Sequence, residues 1–509
     1  MPAPRPHDIR LPYWTWAVLP VLIAAWLRLR GIGEPEPFVD EGATILTALD
    51  PRVRALFDPL GQGRPWLAHL FKPAGWFTAH VLTVARAMSA GAGLVTLGAL
   101  GWILHRLAGR AAALCGLWCW ALLPLAVFHE RLALQDPFVT ALLASALAVV
   151  TTSSLGGEKA RPWIWSGTAG VFLGAAFLLK ISAVFALPWL GLLYWEIQRQ
   201  AARPLFDRRL AWLALGALIP VLSLGSGVAR LGGDLGSRFH VLPTLDGHGG
   251  VPSPLEHLGI LLEWYGGYGG WPLALLAIAA MFGAGFFRQR LAFACALGWL
   301  GSLLVTSLCY GNPYARYLLP DHLPLLLFLA LAWGKILHPA PRWRTAAWAV
   351  VALALARWGF VSWGIGTDPW RAAVPAGEIA QYFTGPWSGR GLKEVRAYLD
   401  RYADRQQVRC LVLTHRFMRA GCYGLLLAER GDPRLGVVPF TVYEPEELTA
   451  TRPGLRHAAA GQRVAFFLLY EGSLYPPPPW LDAAGGPARR VLEVPRGGSE
   501  EFTLYQFEP

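Results

Sequence analysis

The stretch Gly31–Asp50, GIGEPEPFVDEGATILTALD, follows the first apolar run of the chain and precedes an apolar helical pattern. It places two adjacent carboxylates, Asp40 and Glu41, just beyond the end of a predicted membrane helix. Acidic side chains are costly at a bilayer edge unless they have a partner or a chemical task. The pair therefore marks a candidate site. Such a site needs other charged residues on the same side of the membrane.

The composition is that of a membrane protein. Of the 509 residues, 54% are hydrophobic and only 15% are charged, and the mean hydropathy is +0.38. Apolar runs of roughly 17–21 residues recur, the length that crosses a hydrocarbon core about 30 Å thick. The net charge of +12 could suit nucleic acid or anionic lipid. No long basic tract or nucleic-acid motif occurs, however, so membrane lipids and not nucleic acid are the predicted partners.

The apolar runs predict about eleven membrane-spanning helices. They lie near 13–27, 86–104, 111–128, 137–154, 163–179, 181–196, 210–228, 271–287, 291–309, 318–334 and 344–363.

Arginine and lysine concentrate in alternate loops, which identifies the cytoplasmic side. These basic loops are 105–110, 158–162, 197–209, 288–290 and 335–344. The opposite, outward face then carries the loops 31–75 and 229–270 and everything after residue 364. The predicted location is the inner (plasma) membrane, crossed many times.

The character of the sequence changes near residue 364, which divides a transmembrane domain (1–365) from a small domain (366–509). Helical and alternating patterns in the second part predict a small extracytoplasmic α/β domain. Its helices are predicted at 392–403 and 417–429, and its strands near 407–415, 436–442, 463–469 and 490–506. No nucleotide-binding glycine motif occurs there, and we assign it no chemistry. Whether its two cysteines, Cys410 and Cys422, form a disulfide is left open.

Several charged residues on the outward face are not needed for topology. They are Asp40, Glu41, Glu130, Arg131, Asp136, Lys180, Arg316 and its neighbour Tyr317. Each also has a structural interpretation. Asp40 could pair with a nearby arginine, Asp136 could cap the next helix, Lys180 could extend to the interface and Arg316 could be an interface anchor.

Together, carboxylates and cations on one membrane face suit the transfer of a group from a lipid phosphate. A carboxylate can accept a proton from an acceptor hydroxyl or amine as a general base. Arginine and lysine can stabilise the departing phosphate. A donor whose tail stays in the bilayer would bring that phosphate to the membrane boundary.

Four segments resemble a known family: PFVDEGATILTAL (37–49), ERLALQDPF (130–138), GAAFLLKISAVFALP (174–188) and ARYLLPDHLP (315–324). They are similar to the bacterial GT-C glycosyltransferases of the protein O-mannosyltransferase and aminoarabinose transferase kind, glycosyltransferase family 39 and relatives. The likeness spans roughly residues 10–365. It implies an inverting transfer of a sugar from a polyprenyl-phosphate carrier on the outer face of the membrane.

By position, the resemblance makes Asp40 the catalytic base, with Glu41 helping to position Asp40 or the acceptor. Asp136, with Glu130, would be the second acidic group, and Arg131, Lys180 and Arg316 would bind the donor phosphate beside Tyr317. The first loop departs from the aminoarabinose enzymes, because it lacks the Arg-Tyr before their acidic pair. The small α/β tail also differs from the β-trefoil insertions of eukaryotic protein mannosyltransferases.

Two other classes of protein stay open at this point. A transporter or lipid flippase would predict inverted repeats and broken helices with polar residues at mid-membrane. A membrane-anchored scaffold would leave the acidic pair and Lys180 unexplained. The sequence does not identify the sugar, the acceptor or any bound divalent cation.

Overall fold

The computed structural model describes residues 13–51, 53–54, 64–155, 161–224, 253–286, 289–309, 314–336, 341–385, 387–415, 420–440, 463–471, 488–497 and 500–507. In chain order the helices are α1 (Tyr13–Leu29), α2 (Val39–Leu49), α3 (Leu67–Leu70), α4 (Val81–Ala108), α5 (Arg110–Leu122), α6 (Pro124–Glu130), α7 (Asp136–Leu155), α8 (Pro162–Leu179), α9 (Leu187–Gln200), α10 (Arg208–Leu222), α11 (Pro254–Phe286), α12 (Arg290–Cys309), α13 (His322–Ile336), α14 (Pro341–Thr367), α15 (Ala376–Ile379), α16 (Leu392–Gln406) and α17 (Ala420–Glu429). The strands are β1 (Arg409–His415), β2 (Leu435–Phe440), β3 (Val464–Glu471), β4 (Ala488–Gly497) and β5 (Glu500–Phe507).

The chain divides into two compact units, each assembled from separate segments. The first unit is Met1–Arg30, Ala90–Glu130 and Asp136–Ile365. The second unit is Gly31–Ser89, Arg131–Gln135 and Gly366–Pro509. The first loop thus belongs to the same unit as the C-terminal α/β domain.

The predicted class, a mainly helical membrane protein with a small α/β part, is confirmed. Within the described part of the chain, five helices are long and apolar enough to cross a membrane, or six if α5 and α6, bent by 56°, form one span. Three shorter apolar helices accompany them, at Ala17–Leu29, Trp163–Leu179 and His322–Gly334. Each predicted apolar run therefore contains a helix, whereas the predicted number of eleven spans is not confirmed.

One stretch predicted as a loop is helical. Residues 225–252 lie outside the described residues, but α11 begins at Pro254, within the predicted loop 229–270. Ser253 and Glu256 start it with a reciprocal pair of bonds, each side chain accepting the backbone N–H of the other. This is the capping box of a helix N-terminus. Gly270, at a φ of 59°, then bends the helix just where the predicted span was to begin.

Small residues allow close helix packing in the first unit. Gly170 and Gly174 of α8 face the backbone of α10, and Gly216 of α10 faces the backbone of α8. A Cβ at any of the three would overlap backbone atoms of the other helix. Such approaches are typical of membrane helices, whose association depends on van der Waals packing.

The second unit contains a five-stranded mixed sheet in the order β2-β1-β3-β5-β4. Strand β1 is parallel to β2 and β3, and β5 is antiparallel to both β3 and β4. Leu413, Phe466 and Tyr505 form part of the core on one face. Alternate residues of a strand point to the same face, so this core follows from the alternation in the sequence. Cys410 and Cys422 are buried free thiols, so the disulfide left open above is not formed.

Candidate functional site

Glu41 is fully enclosed by hydrogen-bond donors in the second unit. Its Oε1 accepts the Arg86 Nε–H (2.7 Å) and the Ala133 backbone N–H (2.7 Å). Its Oε2 accepts the Arg86 Nη2–H (2.6 Å) and the Phe38 backbone N–H (3.3 Å). The side chain is 0% exposed. This carboxylate is bound by a two-pronged, charge-assisted pair with the guanidinium, and it fixes the start of α2.

Asp40 precedes Glu41 in the first turn of the same helix, but it is only half-buried. Both carboxylates lie where the N-terminal end of the helix dipole favours negative charge. The adjacent acids thus differ in environment, because Glu41 is enclosed and Asp40 keeps an accessible surface.

Arg86 is a central residue of this arrangement that sequence reasoning missed. Besides Glu41, its guanidinium donates to the backbone carbonyls of Ile32, Pro35 and Glu36. It lies 45 residues beyond Glu41, near the start of α4. The signal available in the sequence was a single arginine at the edge of a long apolar run.

In the first unit, Asp136 and Lys180 form a buried ion pair. The Lys180 Nζ donates to Asp136 Oδ1 at 2.5 Å, and the side chains of Lys180 and Asp136 are 7% and 3% exposed. Lys180 follows α8 directly, and Asp136 begins α7. Lys180 is therefore buried and paired with a carboxylate within the first unit.

Aromatic rings surround the cations of the first unit. The Lys180 Nζ lies 3.7 Å from the ring centroid of Tyr317. The Arg316 Cζ lies 4.6 Å from the ring centroid of Tyr314 and 5.5 Å from that of Tyr317. Cations over ring faces are stabilised by the ring quadrupole. The structure thus brings together four of the predicted residues: Asp136, Lys180, Arg316 and Tyr317.

A small cavity adjoins this cluster and adds a further carboxylate. Its lining includes Asp136, Lys180, Tyr317 and Asp321. Asp321 is buried, and it accepts hydrogen bonds from the hydroxyls of Ser302 and Thr306 on α12. The cavity therefore offers both cationic and hydrogen-bonding groups.

Glu130 is placed apart from the Asp136–Lys180 pair by its own contacts. It pairs with Arg28 of α1 and accepts the indole N–H of Trp120 at 3.1 Å. Arg28 and Glu130 are both 0% exposed. This buried pair links α1 to the end of α6.

The predicted site residues fall into both units. Glu130, Asp136, Lys180, Arg316 and Tyr317 lie in the first unit, whereas Asp40, Glu41 and the buried Arg131 lie in the second. Among the described residues, no group of three or more His, Cys, Asp or Glu side chains is placed to hold a metal ion. The two units separately provide a carboxylate suited to proton transfer and cations suited to a phosphate.

A family model and several solved structures match this chain. Residues 68–222 match the family model described as dolichyl-phosphate-mannose-protein mannosyltransferase. No protein with a curated description matches the chain in sequence.

Among solved structures, the chain is similar to ArnT from Cupriavidus metallidurans bound to undecaprenyl phosphate, with a TM-score of 0.59 and 13% identity over 97% of this chain and 98% of that one. The apo form of the same ArnT gives a TM-score of 0.57 and 14% identity over 97% and 98%. The apo oligosaccharyltransferase of Archaeoglobus fulgidus gives 0.47 and 13% over 91% and 70%.

The family match and the likeness to ArnT confirm the resemblance described from the sequence motifs. They support a membrane enzyme that transfers a sugar from a lipid-linked donor. The chain has the GT-C glycosyltransferase fold, and its residues 68–222 match the protein mannosyltransferase family.

Proposed function

We propose that this protein transfers a sugar from a polyprenyl-phosphate carrier to an acceptor on the outer face of the membrane, with inversion at the sugar carbon. The acceptor is a lipid, a glycan or a protein. Asp40 is the general base, and the C-terminal α/β domain lies outside the cytoplasm, at the inner membrane.

The contrast between the two adjacent acids is the observation that carries the proposal. Glu41 uses its lone pairs on Arg86 and two backbone N–H groups, so it is poorly suited to accept a proton. Asp40 is more accessible and is held in place by the same helix turn. A base needs both access to its proton and a defined geometry. Glu41 thus anchors the helix, and Asp40 takes the proton.

The donor half of the reaction uses the cations of the first unit. Lys180 is paired with Asp136 and lies over the ring of Tyr317, and Arg316 lies over Tyr314. A donor phosphate supplies a second negative partner for these cations.

Of two further predicted residues, Arg131 is kept in the proposed reaction and Glu130 is not. Arg131, which is also buried, is a further candidate for the phosphate. We leave Glu130 out of the chemistry, because its carboxylate is bound to Arg28 and Trp120.

The step is a single displacement. The acceptor oxygen or nitrogen forms a bond to the anomeric carbon of the sugar as its proton passes to Asp40. The bond from that carbon to the carrier oxygen breaks, and its electron pair leaves with the polyprenyl phosphate. Preset cations stabilise the charge that develops on the phosphate, which needs no strong acid.

The test offers radiolabelled polyprenyl-phosphate sugars to the purified protein, with membrane extracts as acceptors. Asp40→Asn keeps the shape of the side chain but removes its basicity. We expect it to reduce label transfer by roughly 10²–10⁴-fold, the usual contribution of a general base. Asp368→Asn, at an aspartate whose side chain is 47% exposed, is the matched control and should transfer at the wild-type rate.

Transfer that persists in Asp40→Asn would remove Asp40 as the base. If the wild type transfers label from none of the donors but moves lipid across the membrane of reconstituted vesicles, the protein is a flippase. The two readouts therefore separate the proposed enzyme from the transporter class.

A further inference from the structure

The segment that leads into α2 is held by the C-terminal α/β domain within the second unit. The Glu36 carboxylate accepts the backbone N–H of Gly391 through Oε2 (3.1 Å) and that of Lys393 through Oε1 (2.6 Å). The first N–H groups of a helix have no partner inside it. Glu36 therefore caps α16 from a position 355 residues earlier in the chain.

The same segment has further contacts with the domain around this cap. The Lys393 Nζ donates to the Glu34 carbonyl at 2.5 Å. The Val39 N–H, at the first residue of α2, donates to the Trp387 carbonyl at 2.9 Å. The Phe38 ring meets the Tyr382 ring edge-on, with 4.4 Å between centroids. The residues on both sides of the Glu36 cap are thus fixed.

Helix α2 is also held along its length. Gly42 faces Tyr423 of α17 so closely that a Cβ would lie 2.5 Å from the Tyr423 Cβ. At the other end, Arg430 donates to the Leu49 carbonyl at 3.2 Å, which satisfies one of the carbonyls left open at a helix C-terminus. The start, middle and end of α2 all contact the C-terminal domain.

From these contacts we infer that the C-terminal α/β domain is a positioning element of the transfer reaction, and that Glu36 is its main positioning residue. Glu36 does not touch the reacting atoms. It sets the place of α2, and thereby the direction of the Asp40 carboxylate. This inference rests on the proposed role of Asp40, and it gives the domain a task in the chemistry.

The inference predicts a separation of kinetic effects. A displacement of a reacting group by about 1 Å can cost about 10²-fold in rate, whereas the cations that bind the donor belong to other elements. We expect Glu36→Ala to lower kcat by roughly 10–100-fold and to leave the KM for the donor within about twofold. Glu36→Gln keeps one acceptor oxygen for the two N–H groups, and its kcat should be intermediate.

The experiment measures kcat and KM in these variants of the full chain, together with amide hydrogen exchange of α2. Arg401→Ala is the control, because Arg401 is an exposed charged residue on the same helix α16. Exchange of the α2 amides should rise in Glu36→Ala and stay at the wild-type level in Arg401→Ala.

Faster exchange of α2 with an unchanged kcat would overturn the inference, since Glu36 would then hold the helix without affecting the reaction. Unchanged exchange would overturn it as well. The exchange readout does not depend on transfer, so a failure of the proposed function, seen as transfer that survives Asp40→Asn, is distinguished from a failure of the positioning role.

Discussion

Asp40 and Glu41 are adjacent in sequence, but their surroundings divide them into an accessible acid and an enclosed one. The division comes from Arg86, which donates to both oxygens of Glu41 and to three carbonyls of the preceding loop. Breaking a buried pair by removing one partner is far more costly than its net contribution to stability, because it leaves an uncompensated charge.

Replacing Arg86 should therefore destabilise the protein strongly. We expect Arg86→Met to lower the free energy of unfolding by about 3–5 kcal/mol, measured as a lower thermal midpoint in detergent. Adding Glu41→Gln removes the stranded charge and should restore part of the loss. An Arg86→Met protein as stable as the wild type would contradict the assigned role of this pair.

The sequence motif located the acidic pair but could not locate its partner. Asp40 and Glu41 stand out because acids are rare beside apolar runs. Arg86 lies at the end of such a run 45 residues away, and only the packing of α2 beside the start of α4 reveals the contact. Glu130 shows the same limit of the sequence, because its partner Arg28 lies 102 residues earlier in the chain.

At the scale of elements, hydrophobic patterning predicted the helices well, because run length and composition determine a membrane helix. Hydrophobic patterning did not predict helix starts and turns that depend on a few local side chains. The start of α11 lies in a stretch that the sequence predicts as loop, although Ser253 and Glu256 have the spacing of a capping box. Lys180 marks another irregularity, since a 3₁₀ turn (Ile181–Ala186) precedes α9 in the run predicted as one helix.

The packing of α2 on α17 gives a prediction at the same scale. Gly42→Ala would gain about 0.5–1 kcal/mol of helix propensity, but its methyl group would overlap Tyr423. Overpacking of this kind costs about 1–3 kcal/mol, so the thermal midpoint should fall. In Gly98→Ala of α4, where the added Cβ would have no atom within 4 Å apart from its neighbours and the backbone of its own helix, the midpoint should not fall. Equal midpoints for Gly42→Ala and wild type would show that α17 yields at this contact.

At the scale of the whole molecule, the change in composition near residue 364 marks the same place in the chain as the boundary at Ile365 and Gly366. The sequence could not show that Gly31–Ser89 and Arg131–Gln135 join the C-terminal residues in one unit. Such an association depends on contacts between residues hundreds of positions apart, for which hydrophobic periodicity carries no information.

The pH dependence of stability provides a test of the C-terminal domain. Hydrogen bonds from Arg434 lower the pKa of Asp432 from 3.8 to about 2, and Arg396 also pairs with it. A depressed pKa means that the ionised group stabilises the fold above pH 3.8 and that this contribution is lost as the pH falls toward 2. The difference in thermal midpoint between wild type and Asp432→Asn should therefore shrink across this window. A difference independent of pH would rule out the ionised Asp432 as its source.

The pKa shift of Glu36 is opposite in sign to that of Asp432. Burial, the largest cause, raises its pKa above 4.5, although the N–H groups of Lys393 and Gly391 oppose the shift. Its protonated form is favoured in the fold, so its contribution is complete below pH 4.5 and declines as the pH rises through the raised pKa. Ionising Glu36 therefore costs some stability at neutral pH, and the two cap hydrogen bonds offset part of that cost.

Glu36 and Gly391 are 355 positions apart in the chain, so they are also synthesised at different times. A chain is synthesised at about 5–20 residues per second, so Glu36 is made roughly 20–70 s before the helix that it caps. Throughout that interval α2 lacks its partners on α16 and α17, although Arg86 and Ala133 already hold Glu41 at its start. On the proposed role of Asp40, the chain therefore gains its full set of positioning contacts only after α16 and α17 have been made.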